Sequence, residues 1–200
     1  SNENPWGVIL FKRNIKSLNQ IQYLTNRIKK FTNDKYFPIL IDEEGTTVSR
    51  LSNIINNNIS AKFFGNLYSI NDKLCIKLYK NYLNLICKNL KNTGININTI
   101  PVLDILRKNT NKVIGNRSFS NNKKIVKKLG LITVKQCHAN KIISVIKHIP
   151  GHGCSKTDSH FKMPQVNLSQ IVLNKNDFFP FKKNQAKLAM TAHILYKKID

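Results

Sequence analysis

No stretch of eighteen apolar residues occurs in this sequence, so no membrane-spanning helix is expected. The opening residues, Ser1-Asn2-Glu3-Asn4-Pro5-Trp6, have neither a basic stretch nor an apolar core, and no secretory signal peptide is expected from them. Cysteine is sparse: Cys75, Cys87, Cys137 and Cys154 include no C-x-x-C pair, which argues against a zinc site and against a disulfide framework. Reduced, structural thiols are the expectation. Acids are scarce too, 10 against 33 Lys and Arg in 200 residues, for a formal net charge of +23. Such an excess ordinarily suggests a nucleic-acid or anionic-membrane partner. Here, however, the lysines are scattered through nearly every segment among abundant Asn and Ile, the residues that AT-rich codons supply. There is no compact arginine stripe with interleaved aromatics and no zinc-finger spacing, so no specific nucleic-acid partner is expected. The charge alone permits weak, salt-sensitive adsorption to polyanions.

Hydrophobic residues make up 41% of the chain, enough for a buried core. Their arrangement alternates between two periods. Gly7 to Phe11 is a short continuous apolar run suited to a strand buried on both faces. Ser17 is placed to cap a helix whose inward positions are Leu18, Ile21, Leu24 and Ile28. A second buried run, Phe37 to Ile41, ends at Asp42. An Asn-rich stretch follows, then a long amphipathic helix marked by Leu74, Leu78, Tyr82, Leu85, Ile86 and Leu90, with Gly94 placed to stop it. Ile95 to Leu103 alternates weakly and ends at Asp104. Asn121 to Gln136 reads as a helix with Ile125, Leu129 and Ile132 inward. Ile142 to Ile146 is a further strand closing on Lys147-His148, and Lys187 to Thr191 runs into Ala192-His193.

Strands alternating with helices predict an α/β fold with a mostly parallel sheet. Several strands finish on Asp42, Asp104, Lys147-His148 or His193, and in a (β/α)8 barrel the functional groups sit at those C-terminal ends. An open doubly wound sheet would also bind there, but no Gly-rich phosphate loop follows the first strand. The expectation is an incomplete TIM-type barrel, with about five of its eight strands present.

The segment from Lys147 to His160 is the densest in chemistry. It brings together Lys147, His148, His152, Asp158 and His160 around Pro150, Gly151 and Gly153. Histidines that merely fill a core do not cluster in this way. Three imidazoles on a Gly-rich loop lack the i, i+4 helical spacing of a zinc site, so metal binding is the weaker reading.

This loop resembles the K-H-F-P-G-H-G…D-S-H signature of family 3 glycoside hydrolases that act as N-acetylglucosaminidases, with Ile149 in place of Phe. Other blocks occur in the same order. Pro5 to Asn14 resembles the family's first-strand motif, and Ile41-Asp42-Glu43-Glu44-Gly45-Thr46-Thr47-Val48-Ser49-Arg50 is similar to its D-[QE]-E-G-G-R-V-x-R stretch. Pro101 to Asp104, Ile114 to Phe119, and Met190-Thr191-Ala192-His193 with Tyr196 and Asp200 complete a resemblance that spans essentially the whole chain.

The resemblance implies hydrolysis with retention through a covalent glycosyl-enzyme, with a histidine paired to an aspartate as acid/base. Carried over, His160 is the acid/base and Asp158 its orienting partner. A histidine titrates near neutrality, so it suits both proton donation and abstraction, and a carboxylate fixes its tautomer. Asp42, Arg50, Arg117, Lys147 and His148 map onto the family's sugar-binding residues. On the residues alone, alternatives stay open: a solvated loop histidine for His160, a helix cap for Asp42, and an ion pair with Asp104 for Arg117. The resemblance implies no cofactor and no metal. Its partner would be an N-acetylglucosamine-containing glycan or muropeptide, with no membrane involved, and a monomeric cytoplasmic protein of cell-wall recycling is expected.

Thr46 and Thr47 stand where the family motif has Gly and Arg. The Gly implies a tight or positive-φ turn that Thr46 would strain. Asn116 replaces an Asp beside Arg117. No D-D-L-x-M-like stretch, the family's nucleophile context, occurs in these residues. Residues 1–200 are therefore expected to be a family 3 N-terminal barrel domain truncated at both ends, either a piece of a complete enzyme or a decayed gene product, and inactive as hydrolase in this form. Two other readings are a family 3 β-glycosidase for a different sugar, against which the Asp158-Ser159-His160 loop argues, and a non-catalytic basic binding protein.

Overall fold

The computed structural model of the chain describes residues 4–108, 110–155 and 163–199. The strands are β1 (Val8–Leu10), β2 (Ile39–Ile41), β3 (Glu43–Gly45), β4 (Val48–Ser49), β5 (Ile97–Asn98), β6 (Ile143–Ile149), β7 (Gln165–Val166), β8 (Leu188–Thr191) and β9 (Leu195–Tyr196). The helices are α1 (Leu18–Phe31), α2 (Ala61–Ile70), α3 (Asp72–Asn92), α4 (Lys123–Ala139) and α5 (Gln170–Lys175).

Five strands build one parallel sheet in the order β1-β2-β5-β6-β8, with Val8 opposite Ile39, Leu40 opposite Ile97, Ile97 opposite Ile143 and Val145 opposite Leu188. Sheet order follows chain order, and helices cross over between successive strands. This curled sheet with its helices is the incomplete barrel expected. The second apolar run and the middle of β6 are buried, at Ile39, Ile41, Val145 and Ile146, whereas the first run is not covered on both faces as its sequence suggested, because β1 ends the sheet and Ile9 is exposed.

Local chemistry sets the helix ends. The Ser17 hydroxyl accepts from the Gln20 amide at 3.3 Å and starts α1. Gly94, at φ 77°, ends α3, and the Ile95 amide donates back to the Leu90 carbonyl. The inward face of α3 corrects the sequence reading. Cys75, Tyr79, Leu83, Ile86, Cys87 and Leu90 are buried, whereas Leu74, Leu78 and Leu85 are exposed. The helix carries two apolar stripes, so periodicity alone leaves its phase open. The packing partners decide it: Tyr79 packs against Phe64 of α2 with the rings tilted at 48° and their centroids 4.5 Å apart, and the small Cys87 thiol lies 3.8 Å from Cys137 of α4. In α1, Leu18 is likewise exposed, and Thr25 takes an inward position, donating to the Thr93 carbonyl.

The stretch after Asp42 is more structured than its asparagines suggest. It forms the β3–β4 hairpin and then α2, which approaches the chain so closely at Gly65 that a Cβ there would stand 1.7 Å from the Phe119 carbonyl oxygen. In the hairpin turn Gly45 has φ 102° and Thr46 φ 49°. A β-branched residue is strained in the left-handed region, as the sequence comparison with a Gly-containing motif implied. Thr46→Gly is therefore expected to raise the denaturant midpoint with an unchanged m-value, by about 1 kcal/mol of stability. An unchanged midpoint would show that the turn relieves the strain elsewhere.

Beyond β6 the chain builds a smaller unit that sequence reading did not resolve. Strands β7 and β9 pair in parallel, and Val166, Leu173 of α5 and Tyr196 form a second apolar cluster. Among the described residues, no helix is long and apolar enough to cross a membrane.

Candidate active site

The C-terminal ends of β2, β6 and β8 open onto a cavity of about 550 Å3 lined by Asp42, Glu44, Arg50, Arg117, Lys147, His148, His152 and His193. All five sugar-contact residues singled out from the sequence border it. They come from chain positions as far apart as 42 and 148, so the convergence is produced by strand order. Strand β6 runs to Ile149, longer than the apolar run alone suggests, and so carries Lys147 and His148 itself.

Lys147 is at the centre and almost fully buried, at 1% exposure. Its ammonium donates to Asp42 Oδ1 at 2.9 Å and to Thr99 Oγ1 at 2.8 Å, and stands 2.5 Å from Glu44 Oε1. Three acceptors use its three N–H donors. The Thr99 hydroxyl in turn donates to Asp42 Oδ1. Asp42 Oδ1 is thus engaged within the protein. Oδ2 faces Arg50 Nη2 at 3.7 Å, beyond hydrogen-bond length. Asp42 follows a strand and precedes another, so it caps no helix. Burial by itself would raise its pKa, but the Lys147 charge beside it, with the hydrogen bonds from Thr99 and Lys147, holds the carboxyl below its ordinary value.

Arg117 does not pair with Asp104. It grips Glu44 with two parallel bonds, Nε to Oε2 at 2.7 Å and Nη2 to Oε1 at 2.9 Å, and Nη1 donates to the Val113 carbonyl at 3.0 Å. Glu44 is also held ionised below its ordinary range. Burial pushes it up, and Lys147 and Arg117 outweigh that. The preceding Glu43 does structural work, accepting from Ser49 Oγ at 2.8 Å, the Leu51 amide at 2.9 Å and Asn57 Nδ2 at 2.6 Å. That bracket fixes the backbone on both sides of Arg50.

Asp104 is fully buried and committed to the histidines: Oδ2 lies 2.7 Å from His148 Nδ1, and Oδ1 accepts from the His152 amide at 2.6 Å. An ionised Asp104 places the proton on Nδ1 of His148 and leaves Nε2 as the ring's remaining hydrogen-bonding atom. Burial would raise the pKa of Asp104, but His148 and the bonds from both histidines lower it on balance. His152 is buried with Nδ1 unpartnered among the described residues, and burial depresses its pKa, keeping the ring neutral.

Asp158 and His160 lie outside the described residues. The segment leading to them is anchored: the Tyr196 hydroxyl donates to the Gly151 carbonyl at 2.7 Å, Thr110 Oγ1 donates to the Gly153 carbonyl at 2.6 Å, and the Arg107–Asp177 ion pair lies alongside. Glu44, Thr99 and Asp104 were not singled out as site residues from the sequence. A usable signal existed, because in a chain with so few acids two of them directly follow Asp42. Among the described residues, no three His, Cys, Asp or Glu side chains are grouped to hold a metal ion. Another cavity, about 510 Å3, lies at the opposite end of β6 around His138, Ile143 and Lys187, and among the described residues no acidic side chain lines it.

These pKa shifts share one sign. Asp42, Glu44, Asp104 and His152 all bind protons less readily when folded than when unfolded. Stability therefore rises with pH across their titration. The contribution of His152 is complete above its ordinary value of 6.5 and declines as pH falls below it. Those of the carboxylates hold above their ordinary values of 3.8 and 4.5 and are lost as pH falls through the lower folded values. Urea midpoints measured from pH 8 downward are expected to decline first below pH 6.5 and then more steeply in the acid range. His152→Leu should remove the first decline.

Comparison with known proteins accords with this geometry. The family model described as glycosyl hydrolase family 3 N terminal domain matches residues 2–200. The chain is 36% identical over 209 residues to Beta-hexosaminidase A of Pseudoalteromonas piscicida, covering 97% of this chain and 33% of that protein. It is 32% identical over 197 residues to Beta-hexosaminidase of Hydrogenovibrio crunogenus, covering 97% and 55%. The crystal structure of NagZ from Neisseria gonorrhoeae in complex with N-trifluoroacetyl-D-glucosamine superposes with a TM-score of 0.89 at 30% identity, over 98% of this chain and 58% of that one. The chain thus spans between a third and about half of the length of these curated relatives. A barrel-forming parallel sheet, functional side chains at its C-terminal strand ends and a match along nearly the whole sequence place this chain in glycosyl hydrolase family 3, in the N-terminal domain of that family.

Proposed function

We propose that this domain forms the amino-sugar half of the active site of a retaining β-N-acetylhexosaminidase. The observation that carries the reading is the convergence of Asp42, Arg50, Arg117, Lys147 and His148 on one cavity. Relatives named beta-hexosaminidase and a relative solved with an N-acylated glucosamine support the choice of sugar.

In this reading Asp42 Oδ2 accepts from a ring hydroxyl, while Arg50 and His148 Nε2 approach its neighbours. Lys147, with its donors engaged, supplies charge and reaches the ligand by exchanging one of its bonds. These contacts fix the pyranose for distortion toward an oxocarbenium-like transition state. His160, oriented by Asp158, protonates the leaving oxygen and then deprotonates water. The glycosyl-enzyme step needs an aspartate nucleophile, and no D-D-L-x-M-like stretch occurs within these 200 residues. Hydrolysis is therefore assigned to a protein of the relatives' length. Its substrate is proposed to be a peptidoglycan-derived muropeptide, handled by a monomer in the cytoplasm.

Binding tests the site in this chain directly. Titration with N-acetylglucosamine followed by NMR should give saturable shifts, and Asp42→Asn should weaken binding by about tenfold, close to 1.4 kcal/mol. Equal affinity in the two proteins would remove Asp42 from the site, and the absence of any binding would remove the sugar.

A further inference from the structure

Glu44 lines the sugar cavity but has no sugar-binding assignment, and its geometry gives it a different task. Its side chain is 5% exposed, with both oxygens turned onto cations. Oε2 receives Arg117 Nε, and Oε1 receives Arg117 Nη2 and lies beside the Lys147 ammonium. We propose that Glu44 is the positioning residue of this site, the shared counter-ion that fixes the orientation of Arg117 and the placement of Lys147 toward an amino sugar without touching the sugar itself. The proposal rests on the reading of the cavity as a sugar site.

The donor inventory supports it. A guanidinium has five N–H groups in a rigid plane. In Arg117, Glu44 takes those of Nε and one of Nη2, and the Val113 carbonyl takes one of Nη1. Two N–H remain, and because the fork is planar their direction is set by the bidentate grip on Glu44. For Lys147, Glu44 supplies one of three acceptors, and the other two, Asp42 and Thr99, lie on the neighbouring strand ends. Glu44→Gln leaves a single neutral acceptor oxygen where two charged ones held three N–H groups, so it cannot both keep the bidentate grip that orients the Arg117 plane and serve the buried Lys147 ammonium. Asp42 is then the carboxylate left to pair with Lys147, and drawing the ammonium further onto it would compete with the sugar for its oxygens.

The test uses Glu44→Gln in the full chain, read in two ways. Arginine-specific labelling with phenylglyoxal, quantified by mass spectrometry, reports whether Arg117 is held. Its labelling should speed up by about tenfold in E44Q, while the exposed Arg13 and Arg27 keep their rates. Affinity for N-acetylglucosamine should fall by about tenfold, and Glu44→Asp, which keeps the charge one methylene short, should recover part of both. Unchanged Arg117 labelling overturns the proposal, as does unchanged sugar affinity in a protein whose Arg117 has become reactive. If the unsubstituted chain binds no sugar, the sugar reading fails by itself and the labelling still decides whether Glu44 holds Arg117. Should E44Q not fold, E44D carries both readouts.

Discussion

Lys147→Met is expected to cost about 3–5 kcal/mol of folding stability, the range for removing one partner from a buried ion pair. In a domain of this size that lowers Tm by roughly 10 °C. Methionine fills nearly the same volume, so little of the loss is a cavity. The loss arises because Asp42 and Glu44 are left facing each other with their shared cation gone, and Thr99 loses its donor. The effect should be strongly pH-dependent, since protonating either carboxylate relieves it, and the variant should approach the parent in stability as pH falls toward 4. Adding Glu44→Gln to Lys147→Met should recover part of the loss, with a coupling of about 1–3 kcal/mol in a double-mutant cycle. A cost below about 1 kcal/mol, in the range of an exposed pair, would mean that water reaches these carboxylates and that the network is not the dry cluster described.

In a protein of the relatives' length, His160→Ala is expected to reduce turnover by about 10²–10⁴-fold on a substrate whose leaving group is a sugar hydroxyl. The loss should be clearly smaller on a nitrophenyl β-N-acetylglucosaminide, because nitrophenolate departs without needing a proton. The difference between the two substrates isolates the acid step from general damage to the site. The pH profile of the variant should also lose the limb belonging to the imidazole. Equal losses on both substrates would assign His160 to structure or to the second, water-activating step, and an unchanged rate on both would remove it from the reaction. The anchoring of Gly151 by Tyr196 and of Gly153 by Thr110 gives the segment before Asp158 a fixed root from which such an acid/base can act.

Several elements were legible because a local rule decides them. Ser17 starts α1 by capping an amide three residues on, Gly94 stops α3 by taking a positive φ, and the apolar runs at 8–10 and 39–41 form strands, the second buried at Ile39 and Ile41 and the first with Ile9 exposed at the sheet edge. The polar residues that close such runs fall at one end of the five-stranded sheet because all of its strands are parallel. The family resemblance pointed to Asp42, Arg117 and Lys147, and all three border one cavity.

Other features have no local signature. The phase of α3 depends on Phe64 and on α4, and a helix with two apolar stripes does not reveal which one finds a partner. Helix α2 and the β3–β4 hairpin are hidden in an asparagine-rich stretch whose composition suggests a loop.

By itself, then, the sequence determined the alternation of strands and helices, their order and the end of the sheet at which chemistry gathers, since each follows from periodicity, capping and handed crossovers. The tertiary structure alone decided which charges meet. Arg117 pairs with Glu44 rather than Asp104 because both Asp104 oxygens already face the two histidines, and Lys147 is an internal counter-ion because Asp42, Glu44 and Thr99 surround it. Ion pairing is a matter of ångströms between residues dozens of positions apart, and desolvation fixes its strength. Both quantities exist only once the chain has folded.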